Sequence, residues 1–331
     1  MVEIFTGRRF WVWLTVFGFI GFCAFSGLRI YSQFTESYRG YVAEERFVDI
    51  TPGSDAVTIA RQLIAADIVR DRWVFRYAAW KTQSASHLQA GEYKFDSPMT
   101  AVQVLEKIMQ GRVHLRTITF PEGLTLAQMA EIFGASDFGT REEFYASVQN
   151  TELVAHFDKE ATDLEGYLFP DTYALPRNAT ANHLVAAMVA SFEKKFDDEL
   201  RRESQVRDFT LREVVTLASI IERETARADE WTVVSGVFTN RLELGMLLQS
   251  DPTVIYALQL AGLYKGNLTR ANLRFDSSYN TYLYAGLPSG PIAAPGLDAL
   301  KAAVRPDDVQ YLYFVSRNDG SHVFATSLRE H

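Results

Sequence analysis

Of the 331 residues only one, Cys23, is a cysteine. That excludes an intrachain disulfide and any zinc site built on cysteine thiolates. Cations are in deficit: 33 Lys and Arg stand against 41 Asp and Glu, a formal charge of −8. Nucleic-acid binding needs clustered Lys and Arg, so nucleic acid is excluded as the main partner. The six histidines form no metal pattern, H-E-x-x-H is missing, and neither a G-x-G-x-x-G loop nor a P-loop occurs. The expectation is no metal and no cofactor. With 47% hydrophobic and 22% charged residues, the chain is neither disordered nor collagen-like. Its length suffices for two or three domains.

Phe10 to Leu28, FWVWLTVFGFIGFCAFSGL, is an apolar run of 19 residues without a charge. At about 1.5 Å per residue it reaches roughly 28 Å, the thickness of a bilayer's hydrocarbon core. Arg8 and Arg9 precede it and Arg29 follows. The positive-inside rule then leaves residues 1–9 in the cytoplasm and the rest of the chain outside. Ala24-Phe25-Ser26 has the small-x-small form of a signal-peptide cleavage site. The run is longer than the roughly 7–15 residues of a signal peptide's apolar region, so an uncleaved anchor over 10–28 is expected. Cys23 lies inside the run as an inert thiol.

Residues 29–44 are polar and aromatic and read as a stalk. Beyond them the segment from Arg46 to about Gln149 carries a repeat at an offset of 70: Gly53 aligns with Gly123, Ala60 with Ala130, Asp67 with Asp137, Ile68 with Phe138. Each copy runs from a turn into an amphipathic helix, then a loop, then an aromatic-rich helix. Ile59, Ala60, Leu63 and Ile64 show helical spacing. Gly91–Phe95 reads as a strand. Thr100 to Met109 reads as a helix with Thr100 as N-cap and Gly111 as stop, and Val113–Phe120 alternates as a strand does. Strand, two helices and strand over 45–120 form a small α+β module whose outline is similar to a LysM domain, a binder of N-acetylated glycans. A spacer of the same arrangement is the alternative. Residues 180–207 read as one charged helix. Tyr311–Ser316 and His322–Ala325 flank Asn318-Asp319-Gly320, a hairpin signal.

Leu211 to Thr225, LREVVTLASIIERET, is the most informative segment. On a wheel with Val215 at zero, the apolar residues cover about −40° to −160° and Glu222 falls near −20°, at their edge. Glu224 falls near 180°, toward the polar side. A carboxyl held against apolar surface loses hydration and keeps its proton, the state a general acid needs. Pairing of Glu222 with an arginine at the helix border is the competing explanation. Asp251 precedes Pro252 and is expected to be extended.

The runs Ala218–Thr225 (ASIIERET), Asn240-Arg241-Leu242, Gln249–Leu258 (QSDPTVIYAL), Tyr279–Tyr282 (YNTY) and Gly286–Gly296 (GLPSGPIAAPG) closely resemble the endolytic murein transglycosylases of the MltG/YceG-like family. Glu165–Tyr173 (EGYLFPDTY) and Phe120–Gly123 (FPEG) match upstream, so the resemblance covers nearly the whole chain. It implies a membrane-anchored α+β protein with a LysM-like module and a larger mixed α+β catalytic domain over 121–331. The implied reaction is cleavage of the MurNAc–GlcNAc bond in nascent peptidoglycan strands to give 1,6-anhydroMurNAc ends, without water as nucleophile. The implied catalytic residue is the first Glu of E-x-E-T, Glu222. Gln249, Asp251, Asn280 and Tyr282 suit sugar binding, with Glu224 as a supporting or surface residue. The Gly286–Gly296 loop is expected to wall the groove. Implied partners are glycan strands, the cell membrane and peptidoglycan synthases. Two other classes compete: an anchored, non-catalytic glycan-binding scaffold, and a pyridoxal-phosphate lyase. The latter needs a Schiff-base lysine, and beyond residue 208 only Lys265 and Lys301 exist.

A reporter fused after His331 should be active only on the outer side of the cell membrane. Activity confined to the cytoplasm would contradict the topology read from Arg8 and Arg9.

Overall fold

The computed structural model describes residues 3–83, 87–225, 227–317 and 319–330; for residues 3–12 and 30 only the backbone is described. Asn318 of the hairpin turn, and Met1 and Val2 of the tail, lie outside the described residues. The protein is α+β, with two compact units. One comprises the chain up to Arg116 with Pro176–Asn178, the other Thr117–Leu175 and Ala179 onward.

The first unit begins with α1 (Glu3–Thr35), whose apolar stretch Trp13–Thr35 is long enough to cross a membrane and is not buried by protein. The helix continues past Leu28 into the segment read as a stalk. Tyr38 then bridges to Met99, and Tyr41 is buried in the unit's core. There follow β1 (Arg46–Ile50), α2 (Ala56–Ala65), α3 (Arg72–Thr82), β2 (Gly91–Phe95) and α4 (Ala101–Met109). β1 and β2 pair antiparallel, Val48 opposite Tyr93. Helix starts follow local chemistry. Asp55 and Asp71 accept hydrogen bonds from first-turn amides of α2 and α3, and Thr100 and Gln103 form a capping box on α4. Ile59, Leu63, Phe75, Tyr93, Val104 and Ile108 close the core.

The order then repeats, with Leu115, Arg116 and Pro176 still counted in the first unit and the rest in the second. β3 (Leu115–Thr119), α5 (Leu126–Gly134), α6 (Arg141–Val148) and β4 (Thr172–Pro176) follow in turn, and β3 pairs with β4. α5 begins seventy residues after α2, and Gly53 and Gly123 both turn with positive φ, 81° and 73°. The region read as one charged helix is two, α7 (Ala181–Lys195) and α8 (Asp198–Val206). The break falls at Phe196, and Asp197 caps α8 by accepting from the Glu199 and Leu200 amides. Leu184, Val185, Met188 and Phe192 bury one side of α7.

α9 (Leu211–Glu224) is the centre of this unit. α8, α10 (Trp231–Glu243), α11 (Asp251–Leu260) and α12 (Leu297–Val304) all pack against it. Every residue from Val214 to Ile221 is buried. The polar ones are satisfied locally: Thr216 donates to the Arg212 carbonyl, and Ser219 donates to the Thr216 carbonyl and accepts from the Ile292 amide. Gly166, at φ 83°, lies so close that a Cβ would sit 2.5 Å from Pro291 and 2.8 Å from Val215. β5 (Tyr313–Ser316) and β6 (His322–Ala325) form the expected antiparallel hairpin.

Glu165 is buried beside Gly166. It accepts from the Leu126 amide and from the Tyr256 hydroxyl at 3.0 Å, tying α5 to α11. Burial raises its pKa to about 8 despite these bonds. Below its ordinary value near 4.5 both folded and unfolded chains carry this proton. Between there and about 8 only the unfolded chain releases it, so this residue's contribution to stability falls as pH rises. Glu165→Gln removes that dependence. Urea unfolding should show the variant gaining on the parent by an amount on the order of a few kcal/mol from pH 5 to pH 8. A constant difference across that range would refute the assignment.

Candidate active site

α9 ends at Glu224 because Thr225 turns to extended backbone, φ −138° and ψ 136°. The turn opens onto a cleft of about 550 Å³ whose lining includes Glu224, Thr225, Arg241, Gln249, Asp251, Tyr282, Tyr313 and His322. The Glu224 carboxylate accepts a short hydrogen bond from the Ser250 hydroxyl. Burial raises its pKa to about 7; the Ser250 bond opposes this and the Asp251 charge adds to it, while His322 and Arg241 pull down.

The floor is braced from below. Gln249 takes a left-handed conformation, φ 49°, and its amide donates to the Thr281 carbonyl. The Ser250 amide donates to the Thr281 hydroxyl, and that hydroxyl meets Thr253 at 2.9 Å. Asp251 is not extended as its neighbour Pro252 implies. It opens α11, where a proline in the first turn is tolerated. Its carboxylate accepts from the Tyr282 hydroxyl at 2.6 Å.

Of the residues singled out from the sequence, Gln249, Asp251, Tyr282 and Glu224 share this cleft, and two do not line it. Asn280 is fully buried, and its amide nitrogen donates to the Leu273 and Phe275 carbonyls, so the group is consumed in shaping the loop under Tyr282. Glu222 lies elsewhere on α9. It accepts from the Gly296 amide at 3.0 Å and packs beside the Gly123 turn, which the neighbouring Arg223 holds by donating to the Gly123 carbonyl. Its pKa also rises to about 7, through burial first and then the nearby Glu122 charge, against the Gly296 bond. Raised pKa therefore does not separate the two glutamates; position does. Nor is the 286–296 loop a wall of this cleft. Gly290–Gly296 is buried, with Ile292 bonded to Ser219 and Gly296 to Glu222.

Several residues in and around the cleft were not singled out from the sequence. Arg241 is buried and donates to the Leu312 and Leu248 carbonyls, each at 2.6 Å, with its guanidinium over the Tyr313 ring. His322 meets Glu230 at 2.6 Å through Nδ1, and Glu230 also accepts from the His322 amide and from Thr225. These bonds hold Glu230 below the usual carboxylate range although burial pushes it up. Arg241 and Ser250 belong to matched motifs; for His322 and Glu230, 92 positions apart, the sequence offers nothing. Among the described residues no cluster of His, Cys, Asp or Glu has the form of a metal site.

The profile of the YceG-like family matches residues 48–331. An endolytic murein transglycosylase of Bacillus subtilis is 33% identical over 304 residues, covering 86% of this chain and 82% of the relative. One from Streptococcus pneumoniae is 31% identical over 316 residues, 86% of this chain and 56% of the relative. A 2.6 Å crystal structure of a YceG-like protein from Listeria monocytogenes superposes with a TM-score of 0.60 at 30% identity, covering 87% of this chain and 98% of the other. The chain belongs to the YceG-like family.

Proposed function

We propose that the protein is a membrane-anchored lytic transglycosylase of peptidoglycan, and that Glu224, rather than Glu222, is its general acid and base. The observation that carries the reading is a single carboxyl with a pKa of about 7 at the end of a buried helix, facing a sugar-sized cleft and held by Ser250. Relatives named endolytic murein transglycosylase supply the substrate class.

In this reading Glu224 gives its proton to the glycosidic oxygen as the C1–O bond breaks. The resulting carboxylate faces the positive charge growing on C1. It then takes the proton of the MurNAc C6 hydroxyl while that oxygen bonds to C1, closing the 1,6-anhydro ring and restoring the acid. One carboxyl suffices because the nucleophile is part of the substrate; a hydrolase needs a second to activate water. Tyr282, fixed through Asp251, and Tyr313 offer ring faces to pyranose rings, and the side chain of Gln249 offers amide groups to hydroxyls. Glu222 is a positioning residue that ties α9 to the 120–125 and 292–296 segments.

The same reading makes α1 a single-pass anchor with the remainder of the chain outside the cytoplasm, near synthases that extrude new strands. The paired β1 and β2 enclosing α2 and α3 support a LysM-like, glycan-binding role for 45–120, with the catalytic domain over 121–331. A scaffold without catalysis would use the same anchor and module, but it has no need of a desolvated carboxyl in a cleft.

Glu224→Gln keeps shape and hydrogen-bonding reach but cannot deliver a proton. Release of fragments from purified peptidoglycan should fall by roughly 10²-fold or more, with the circular dichroism spectrum unchanged. Glu222→Gln, which spares the cleft, should retain most activity. An active Glu224 variant beside a dead Glu222 variant would return the acid to Glu222.

The acid must start protonated, so the catalytic rate should decline as pH rises through about 7, the pKa to which burial lifts Glu224. A rate that stays flat from pH 6 to pH 8.5 would count against a carboxylic acid in this role.

A further inference from the structure

α3 has a buried side and, opposite it, a face largely open to solvent. Val74, Phe75 and Ala78 point into the core. On the other side Trp73 is 55% and Trp80 76% exposed, an expensive way to present two indoles to water. Trp73, Tyr77 and Trp80 fall at i, i+4 and i+7, one stripe of the helix. Cations flank it: Arg72 and Arg76 lie 5.0 and 5.4 Å from the Trp73 ring and Lys81 lies 6.0 Å from Tyr77. α3 itself contains no acidic residue.

With α1 across a membrane, the stripe lies close to the bilayer surface. Phe34 of α1 packs on Tyr77 with ring centroids 5.0 Å apart, and Tyr77 in turn lies 6.2 Å from Trp80. Phe34 is six residues beyond Leu28, the last of the uncharged run. At about 1.5 Å per residue that is roughly 9 Å past Leu28, at the outer rim of a headgroup layer about 5–8 Å thick on each side. Amphipathic indole and phenol rings favour that layer, and Arg and Lys beside them meet anionic headgroups.

We propose that the face of α3 formed by Arg72, Trp73, Arg76, Tyr77, Trp80 and Lys81 docks on the phospholipid headgroups of the membrane that α1 crosses. This rests on α1 being an anchor. The helix then holds the first unit down on the bilayer by a second, non-covalent attachment. Each cation near an anionic surface contributes about a fivefold factor, so removing three lowers the ratio of docked to undocked protein roughly a hundredfold.

The test uses the full chain in vesicles of phosphatidylethanolamine and phosphatidylglycerol. The emission of Trp73 and Trp80 is obtained as the difference between the parent and a Trp73→Phe/Trp80→Phe variant. It should be quenched by phospholipid brominated on the upper acyl chain and shielded from acrylamide. Arg72→Gln/Arg76→Gln/Lys81→Gln, folded by circular dichroism, should lose most of both effects, as should the parent in phosphatidylcholine. Protein that floats with the vesicles while this emission stays open to acrylamide and blind to the bromolipid overturns the docking alone. That outcome covers a face reserved for a protein or glycan partner. Protein that does not float overturns the anchor, and the docking with it.

Discussion

The second unit depends on the burial of α9 on every side. Eight successive residues, Val214 to Ile221, are closed off by surrounding helices and by the 290–296 segment. A helix in that position has no solvent face, and its hydroxyls must bond within the protein, as Thr216 and Ser219 do. In its last turn Glu222 and Glu224 stay half-buried while Arg223 is exposed. Carboxyls placed there keep their protons to near neutrality, and Glu222 and Glu224 both do so. The candidate acid is thus a consequence of where the helix ends as much as of which residue ends it.

Two glutamates separated by one residue point to opposite sides of that turn and meet different partners. Glu222 faces the backbone of two buried segments and fastens them through the Gly296 amide. Glu224 faces Ser250, a cleft and the charged residues around it. The braces behind the cleft come from far along the chain. Thr281 and Thr253 hold Ser250, Asn280 holds the loop bearing Tyr282, and Glu230 holds His322. The Ser250 and Thr253 bonds to Thr281 are buried, so loss of one partner there leaves the other unsatisfied.

The elements were legible where local chemistry decides them. Capping at Thr100, the strand at Gly91–Phe95 and the Asp319-Gly320 side of the hairpin all led to the observed structure. The break at Phe196 was not, because charge pattern hides a cap that works only once Asp197 turns outward to receive two amides. The helical wheel puts Glu222 at the edge of the apolar face and Glu224 toward the polar arc; in the structure both are half-buried, with Arg223 exposed between them. Asn280 has the composition of a sugar ligand but is spent on two carbonyls, and the His322–Glu230 contact joins residues no spacing rule connects.

The central claim is that the cleft above Glu224 breaks a glycosidic bond using the sugar's own hydroxyl. Mass spectrometry of the products formed from purified, peptide-free glycan strands tests it directly. Anhydro-MurNAc ends, lighter than hydrolysed ends by one water, are predicted for the parent and absent with Glu224→Gln. Reducing MurNAc ends from the parent, carrying oxygen from labelled water, would contradict the account.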